Sequence, residues 1–278
     1  MSVALVFGAS GAIGRFLVSR LLAEGACVFA VSRRTQADAR GGLHWIEGSL
    51  EGGFALPDGV AAIFSCGPLD AFSQWYERTP TGTARVVAIG SMSADSKRDS
   101  IDASERDVAA RLAASEQRVL RAAASRGAAA TLLRPTLVYG AGRDRSIAPI
   151  ARFARRWRVF PRIPGARGLR QPVHADDLAS ACLAVAAAPH SAGRHYEVGG
   201  GERLAFAAMI ERTCSSLDVR CFALPVPLFA LRLLARSHAA AVARLSRDLV
   251  ADNGDAARDF GWSPRAFVPD AARWPLDG

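Results

Sequence analysis

A short apolar run, VALVF, leads into GASGAIG at residues 8–14, and FLVSRLLAEG follows with the apolar spacing of a helix. This strand, glycine turn and helix constrain the fold more than any other stretch of the chain. Glycines at 8, 11 and 14 meet three separate demands: a tight turn, close approach of backbone to a pyrophosphate, and close packing of helix on strand. A glycine triplet by itself is weak evidence. Placed after a first strand and before a helix, with CVFAVSRR (27–34) supplying a second strand, it completes a βαβ unit expected to bind a dinucleotide, the alternative being a purely structural glycine turn. The expected contacts are Gly8, Ser10, Gly11, Ala12, Ile13 and Gly14.

The alternation continues. LHWIEG (43–48), VAAIFSCG (60–67), ARVVAIGS (84–91) and ATLLRPTLVYG (130–140) read as strands, and a helix is expected over 105–126. Nearly continuous apolar strands alternating with helices predict an α/β fold of Rossmann type, a doubly wound parallel sheet. The expected division is a dinucleotide-binding domain over 1–139 and 172–199, with a small, mainly C-terminal substrate lobe over 140–171 and 200–278. At 278 residues and 50% hydrophobic, the chain can bury such a core.

A site selective for NAD(H) usually ends its second strand on an acid that binds the ribose 2′-hydroxyl. Here that end is Ser32, Arg33, Arg34, and arginine suits a 2′-phosphate. NADP(H) is therefore the expected cofactor, with NAD(H) as the alternative. Ser65 and Gly67, at the end of the fourth strand, are expected to face it.

Five cysteines without a CxxC pair argue against a disulfide framework or a zinc site, and no metal is expected. The start of the chain lacks a basic leader, which points to a cytoplasmic protein. FALPVPLFALRLLA (222–235) is the most apolar span, but Pro225, Pro227 and Arg232 interrupt it, so no stable membrane insertion is expected. It reads as a buried or partner-facing segment, with membrane-surface contact as the alternative.

Formal charge is +9, and Lys97 is the only lysine among 35 basic residues. Residues 151–170 carry seven arginines and no acid, which suits a bound anion, an anionic surface or a solvated basic face. No nucleic-acid-binding module accompanies the run, and no nucleic-acid partner is expected.

Together with GASGAIG, the stretches LRPTLVYGAG (133–142), QPVHADDLASACLAV (171–185), HYEVGGGERLAFAAMI (195–210) and DFGWSPRAF (259–267) resemble the extended and atypical short-chain dehydrogenase/reductases, specifically the NAD-dependent epimerase/dehydratase family. QPVHADDLA is also similar to the branch of the 39 kDa accessory subunit of respiratory complex I. The resemblance implies a serine or threonine after the fifth strand, matched by Ser91, and Pro135 on the nicotinamide side. It implies aspartate near the adenine, where Ser49 stands. It also implies a Tyr-x-x-x-Lys helix whose tyrosine moves a proton, with the lysine about four residues before a glutamate. If that glutamate is Glu116, the two positions are Val108 and Leu112, apolar residues that pack but transfer no proton. None of the three tyrosines has a lysine four residues on.

Three routes to chemistry stay open. Ser91 or Ser93 acts with Lys97; Tyr76 reaches the nicotinamide from another direction; or protons come from substrate or water while the cofactor carries the hydride step. Tyr139, Arg143, Arg145 and Arg170, near Arg167, are expected around an anionic small-molecule substrate, a nucleotide sugar or another phosphorylated compound. His174 reads as a local hydrogen-bonding residue, Asp176 and Asp177 as helix caps, and Asp102 and Ser104 as a capping box. The expectation is an NAD(P)-dependent oxidoreductase or epimerase/dehydratase-like enzyme, a monomer or homodimer, with a non-standard site. The alternative is a non-catalytic NADP(H)-binding protein with a structural or redox-sensing role.

Overall fold

The computed structural model describes residues 2–34, 40–140, 142, 144, 147–163, 166–226 and 245–269. Its first half runs β1 (Val3–Phe7), α1 (Gly14–Ala23), β2 (Cys27–Ser32), β3 (Leu43–Glu47), β4 (Val60–Ser65) and α2 (Leu69–Arg78). Then come β5 (Arg85–Ile89), the short α3 (Ser93–Ser96), α4 (Ala103–Ser125) and β6 (Ala130–Pro135). The second half contains β7 (Val138–Tyr139), α5 (Ala148–Trp157), β8 (Val159–Arg162), β9 (Leu169–Arg170), β10 (Val173–His174), α6 (Ala175–Ala187) and β11 (His195–Val198). It continues through β12 (Leu204–Ala205), α7 (Phe206–Ser215), β13 (Phe222–Pro225) and α8 (Gly254–Phe260).

Seven strands form one sheet in the order β11-β6-β5-β4-β1-β2-β3, and every pairing is parallel. The α/β, doubly wound architecture read from the sequence is the one present. Period-2 alternation divides each strand between two cores. In β1, Ala4 and Val6 pack under α1 and α6 with Leu17, Leu21, Leu178 and Val185. Leu5 and Phe7 face the other way, against Phe72 and Trp75 of α2 and Val119 of α4.

A third cluster builds the lobe from Tyr139, Ile147, Ala151, Met209, Ile210 and Phe267. The run 130–140 is not one strand: β6 belongs to the main sheet, whereas β7 pairs with β10 in a separate two-stranded sheet. Residues after 200 do not all join the lobe. Ala256 of α8 and the following Trp262 complete the core under α1 and α6, and the Trp262 indole N–H donates to the Gly199 carbonyl at 3.1 Å.

Because the strands are parallel, their C-terminal ends share one edge of the sheet. The chain order reverses between β1, which leads on to β2 and β3, and its other neighbour β4. Such a switch point opens a crevice at the strand ends, and GASGAIG lies in it.

Candidate active site

The glycine turn is built by backbone contact. Gly8 has φ of 71°, and a Cβ there would lie 2.9 Å from the carbonyl carbon of Cys66 and the nitrogen of Gly67. A Cβ on Gly14 would come within 2.2 Å of the Gly8 oxygen and 2.7 Å of the Ala9 Cα. At Gly11, whose N–H donates to the Gly8 carbonyl at 2.9 Å, a Cβ would meet that oxygen at 3.0 Å. The turn therefore closes on itself and brings α1 hard against β1. No side chain caps α1, and its first turn carries no acid, so its positive end is left for an anion. Ile13 turns its side chain into the core, while Ser10 is exposed and Gly11 and Ala12 are half-buried.

Across the crevice, a Cβ on Gly67 would project into open space. Ser65 is different: it is 1% exposed, and its hydroxyl has no hydrogen-bond partner. It lines the core beneath the crevice, leaving Gly67 as the residue facing the opening. Arg33 and Arg34 are exposed directly after β2, where a ribose 2′-substituent would lie. The Ser49 hydroxyl accepts from the Gly52 N–H at 2.8 Å and closes a local turn. Pro135, the last residue of β6, pairs with Val198 and accepts from the Met92 N–H at 3.1 Å, tying the segment after β5 to β6. The glycines thus fit a bound dinucleotide: each space that a Cβ would fill is one that the backbone needs to remain closed around a pyrophosphate.

Ser91 follows β5 and is half-buried; its Oγ accepts from the Ser93 N–H at 3.1 Å. One lone pair is thereby engaged and the hydroxyl proton is free to donate. Lys97 ends α3, and its Nζ lies 3.7 Å from Oε1 of Glu105 in the first turn of α4. Glu105 is 6% exposed and accepts from the Ser100 hydroxyl at 2.7 Å. Ser91 and Lys97 thus stand on one segment, but with different side-chain commitments. Val108 and Leu112 are half-buried on α4, and Leu112 packs against the core shared with α2. Tyr76 is fully buried in that same core with the Arg126 guanidinium 4.8 Å from its ring centre, which leaves its ring no exposure to a ligand.

Sequence spacing missed the strongest ionic feature of this region. Arg134 enters from β6 and grips the buried Glu116 of α4 with Nε and Nη2, while Nη1 donates to Asp95 of α3 at 2.6 Å. Burial alone would lower the Arg134 guanidinium pKa; its hydrogen bond to Glu116 and the charges of Glu116 and Asp95 outweigh burial and raise it. One signal existed in the sequence: an arginine closing an apolar strand, LLRP, needs a buried acid partner.

The substrate-side residues do not converge as expected. Arg143 and Arg145 lie outside the described residues. Tyr139 is 1% exposed; its hydroxyl donates to the Ala266 carbonyl at 3.4 Å and accepts from the Val268 N–H at 3.2 Å, and burial raises its pKa. Arg170 is 6% exposed, donates to the carbonyls of Leu169 and Arg247, and lies over the Phe206 ring; burial lowers its pKa. Both brace the lobe from within. Arg167 is exposed.

Asp176 and Asp177 do not cap α6. That role falls to His174, whose Nδ1 accepts from the Asp176 N–H at 3.1 Å, while a Cβ on Gly140 would strike the other ring nitrogen. The aspartates instead bind Arg20 and Arg265, and these guanidiniums outweigh the effect of burial to hold the Asp176 carboxyl below its ordinary value. His174, Asp176 and Asp177 lie close enough to ligate a cation, but two guanidiniums already neutralise the carboxylates and the imidazole acceptor is spent. Asp102 caps α4 through the Ser104 N–H at 2.9 Å, as expected.

The sequence profile described as the NAD dependent epimerase/dehydratase family matches residues 4–94 and 82–199. No curated protein matches the sequence. Among solved structures, MoeE5 in complex with UDP-glucuronic acid and NAD is 21% identical, with 96% of this chain and 95% of that chain covered and a TM-score of 0.72. The enzyme WbmF of Bordetella bronchiseptica, in complex with NAD+ and UDP, is 17% identical over 99% of this chain and 91% of that one, with a TM-score of 0.71. UDP-glucuronic acid 4-epimerase from Bacillus cereus, in complex with NAD, is 12% identical over 99% and 97%, with a TM-score of 0.72. At these identities the likeness speaks to the fold.

Proposed function

The chain belongs to the NAD-dependent epimerase/dehydratase family, and from that premise we propose that it binds a nicotinamide dinucleotide in the Gly8–Gly14 cradle and uses it on a nucleotide-linked or otherwise phosphorylated sugar. The observation that carries this reading is the cradle itself: Gly14 against the Gly8 carbonyl, under a helix start with no side-chain cap. The exposed Arg33 and Arg34 favour NADP(H) over NAD(H). The nucleotide-sugar class draws support from the three solved structures, which hold UDP-glucuronic acid, UDP or NAD.

The bound nicotinamide would supply hydride transfer. The chain's own part begins with Ser91, which directs a free hydroxyl proton at a substrate oxygen and so polarises the reacting carbon–oxygen bond. Lys97, held by Glu105, contributes a fixed positive charge and an exchangeable proton on the same segment. The Arg134 clamp through Asp95 and Glu116 keeps that segment at the ends of β5 and β6. Protons beyond these exchange with substrate hydroxyls or water.

Purified protein is offered NADP+, NADPH, NAD+ and NADH with a panel of UDP-sugars, and products are followed by NMR and by reduced-nicotinamide absorbance. Turnover is expected with at least one pair. Ser91→Ala should lower kcat by about a hundredfold with an unchanged melting temperature and cofactor Kd. Lys97→Met should lower kcat as well; wild-type kcat in either variant removes that residue from the mechanism.

A second reading is a non-catalytic NADP(H) binder with a structural or redox-sensing role. It is favoured by Val108 and Leu112 at the positions where the resemblance expects tyrosine and lysine, and by the engagement of Lys97 with Glu105. Tight cofactor binding without turnover of any sugar in the panel supports it.

A further inference from the structure

The arginine run after residue 150 is not absorbed by the cofactor site. In α5 the residues turned inward are alanines: Ala148, Ala151 and Ala154 are at most 1% exposed. Phe153 and Trp157, four residues apart and therefore on one outer face, are 48% and 61% exposed. The helix packs these alanines and the half-buried Ile150 on the lobe and still leaves two aromatic rings open to water.

The chain runs from this helix straight into the lobe's edge. Arg158, with φ of 56°, is the only non-glycine residue of positive φ among those described, and it turns the chain directly from α5 into β8. Its carbonyl accepts from the Phe222 N–H at 2.8 Å, and β13 then pairs with β8 in register, Phe222 with Val159 and Leu224 with Pro161. Phe222 and Leu224 are 60% and 58% exposed. Trp157 and Phe222 each carry a guanidinium over the ring, from Arg156 at 5.5 Å and Arg220 at 5.8 Å.

The charge on this surface is predominantly positive. Arg155 is neutralised at 2.8 Å by Asp218, an acid from outside the run. Arg152, Arg156, Arg158, Arg162 and Arg220 are exposed and form no ion pair among the described residues. A second copy docked through the same patch would set these arginines against their own equivalents. A nucleic-acid groove has phosphates for the arginines but no apolar partner for Leu224 or Val159.

We propose that the outer face of α5 and the β8–β13 edge dock this protein peripherally on an anionic lipid surface. Phe153, Trp157, Phe222 and Leu224 enter the headgroup boundary, and the arginines meet headgroup phosphates while their stems lie along the apolar face. Among the described residues no helix is long and apolar enough to cross a membrane, so the contact is one of surface docking. The inference is independent of the reaction proposed above.

The test uses the full chain and vesicles of phosphatidylcholine alone or of phosphatidylcholine and phosphatidylglycerol in equal parts. Flotation with the anionic vesicles only is expected, lost as salt is raised. Arg152→Glu with Arg156→Glu, and separately Phe153→Ser with Trp157→Ser, should each lower vesicle partitioning by about tenfold or more. Circular dichroism and NADP(H) affinity should stay unchanged in both variants. The proposal is overturned by no binding to anionic vesicles, by equal binding to neutral ones, or by wild-type partitioning of both folded variants. It is equally overturned if sedimentation shows a dimer that Phe153→Ser with Trp157→Ser dissolves while vesicles are ignored, or if oligonucleotides bind and vesicles do not.

Discussion

Gly14→Ala should destabilise the protein by about 3 kcal/mol, at the upper end of what a single inserted methyl group costs in a packed region. The added Cβ would lie 2.2 Å from the Gly8 oxygen and 2.8 Å from the Gly8 carbon, both backbone atoms that no side-chain rotation can move. Relief requires α1 to tilt away from β1. Leu17 and Val18, at most 1% exposed, would then lose contact with the sheet, and the Gly8 carbonyl would lose its geometry with the Gly11 N–H. For a chain of this size a melting temperature lower by roughly 6–12 °C is expected, together with loss of dinucleotide binding. Gly11→Ala is the control. Its Cβ touches one carbonyl oxygen at 3.0 Å, so the fold should stay within about 1 kcal/mol of wild type. A Gly14→Ala protein with unchanged melting temperature and cofactor affinity would refute the close approach of helix to turn.

Arg134→Ala should cost about 3–5 kcal/mol, because it strands a buried charge. The Glu116 side chain is 4% exposed and has Arg134 as its guanidinium partner, while Asp95 is more open and keeps Arg98 at 2.8 Å. Glu116 also fills the space over Gly90, where a Cβ would meet its Oε1 at 2.7 Å. Replacing both members of the pair, Arg134→Met with Glu116→Leu, should recover most of the lost stability, since the charges then leave together. Urea denaturation of the two single variants and the double variant measures this as a cycle; simple additivity would contradict the clamp. The double variant should still lose turnover, because the segment carrying Ser91 is no longer tied through Asp95 to the end of β6.

The local grammar of the chain was legible where a short window contains the whole physical reason. GASGAIG needs only its flanking strand and helix to be understood, and the apolar strands declare a parallel sheet by their lack of polar alternation. Partner choice over long distances was not legible. Arg134 and Glu116 are eighteen residues apart on different elements, and only the packing of α4 beside β5 and β6 brings them together. Lys97 looked like an unpaired candidate because Glu105 lies beyond a turn whose geometry the sequence does not state. Arg170 and Tyr139 show the opposite limit: their types suit an anionic ligand, yet burial decides what they touch, and here they touch backbone carbonyls and amides. His174 capping α6 was hidden for a related reason, since aspartates in the first turn are the commoner acceptors and arginines from distant elements occupy them.

The most direct measurement is calorimetric titration of NADPH, NADP+, NADH and NAD+ into the wild-type protein and into Gly11→Asp, whose carboxylate would oppose the pyrophosphate at the start of α1. Saturable binding of one dinucleotide per chain is predicted, tighter for the 2′-phosphorylated forms, and weakened at least about tenfold in Gly11→Asp at a similar melting temperature. Failure of all four dinucleotides to bind the wild-type protein, or equal affinity in the folded Gly11→Asp variant, would contradict the assignment of the Gly8–Gly14 turn as the cofactor cradle.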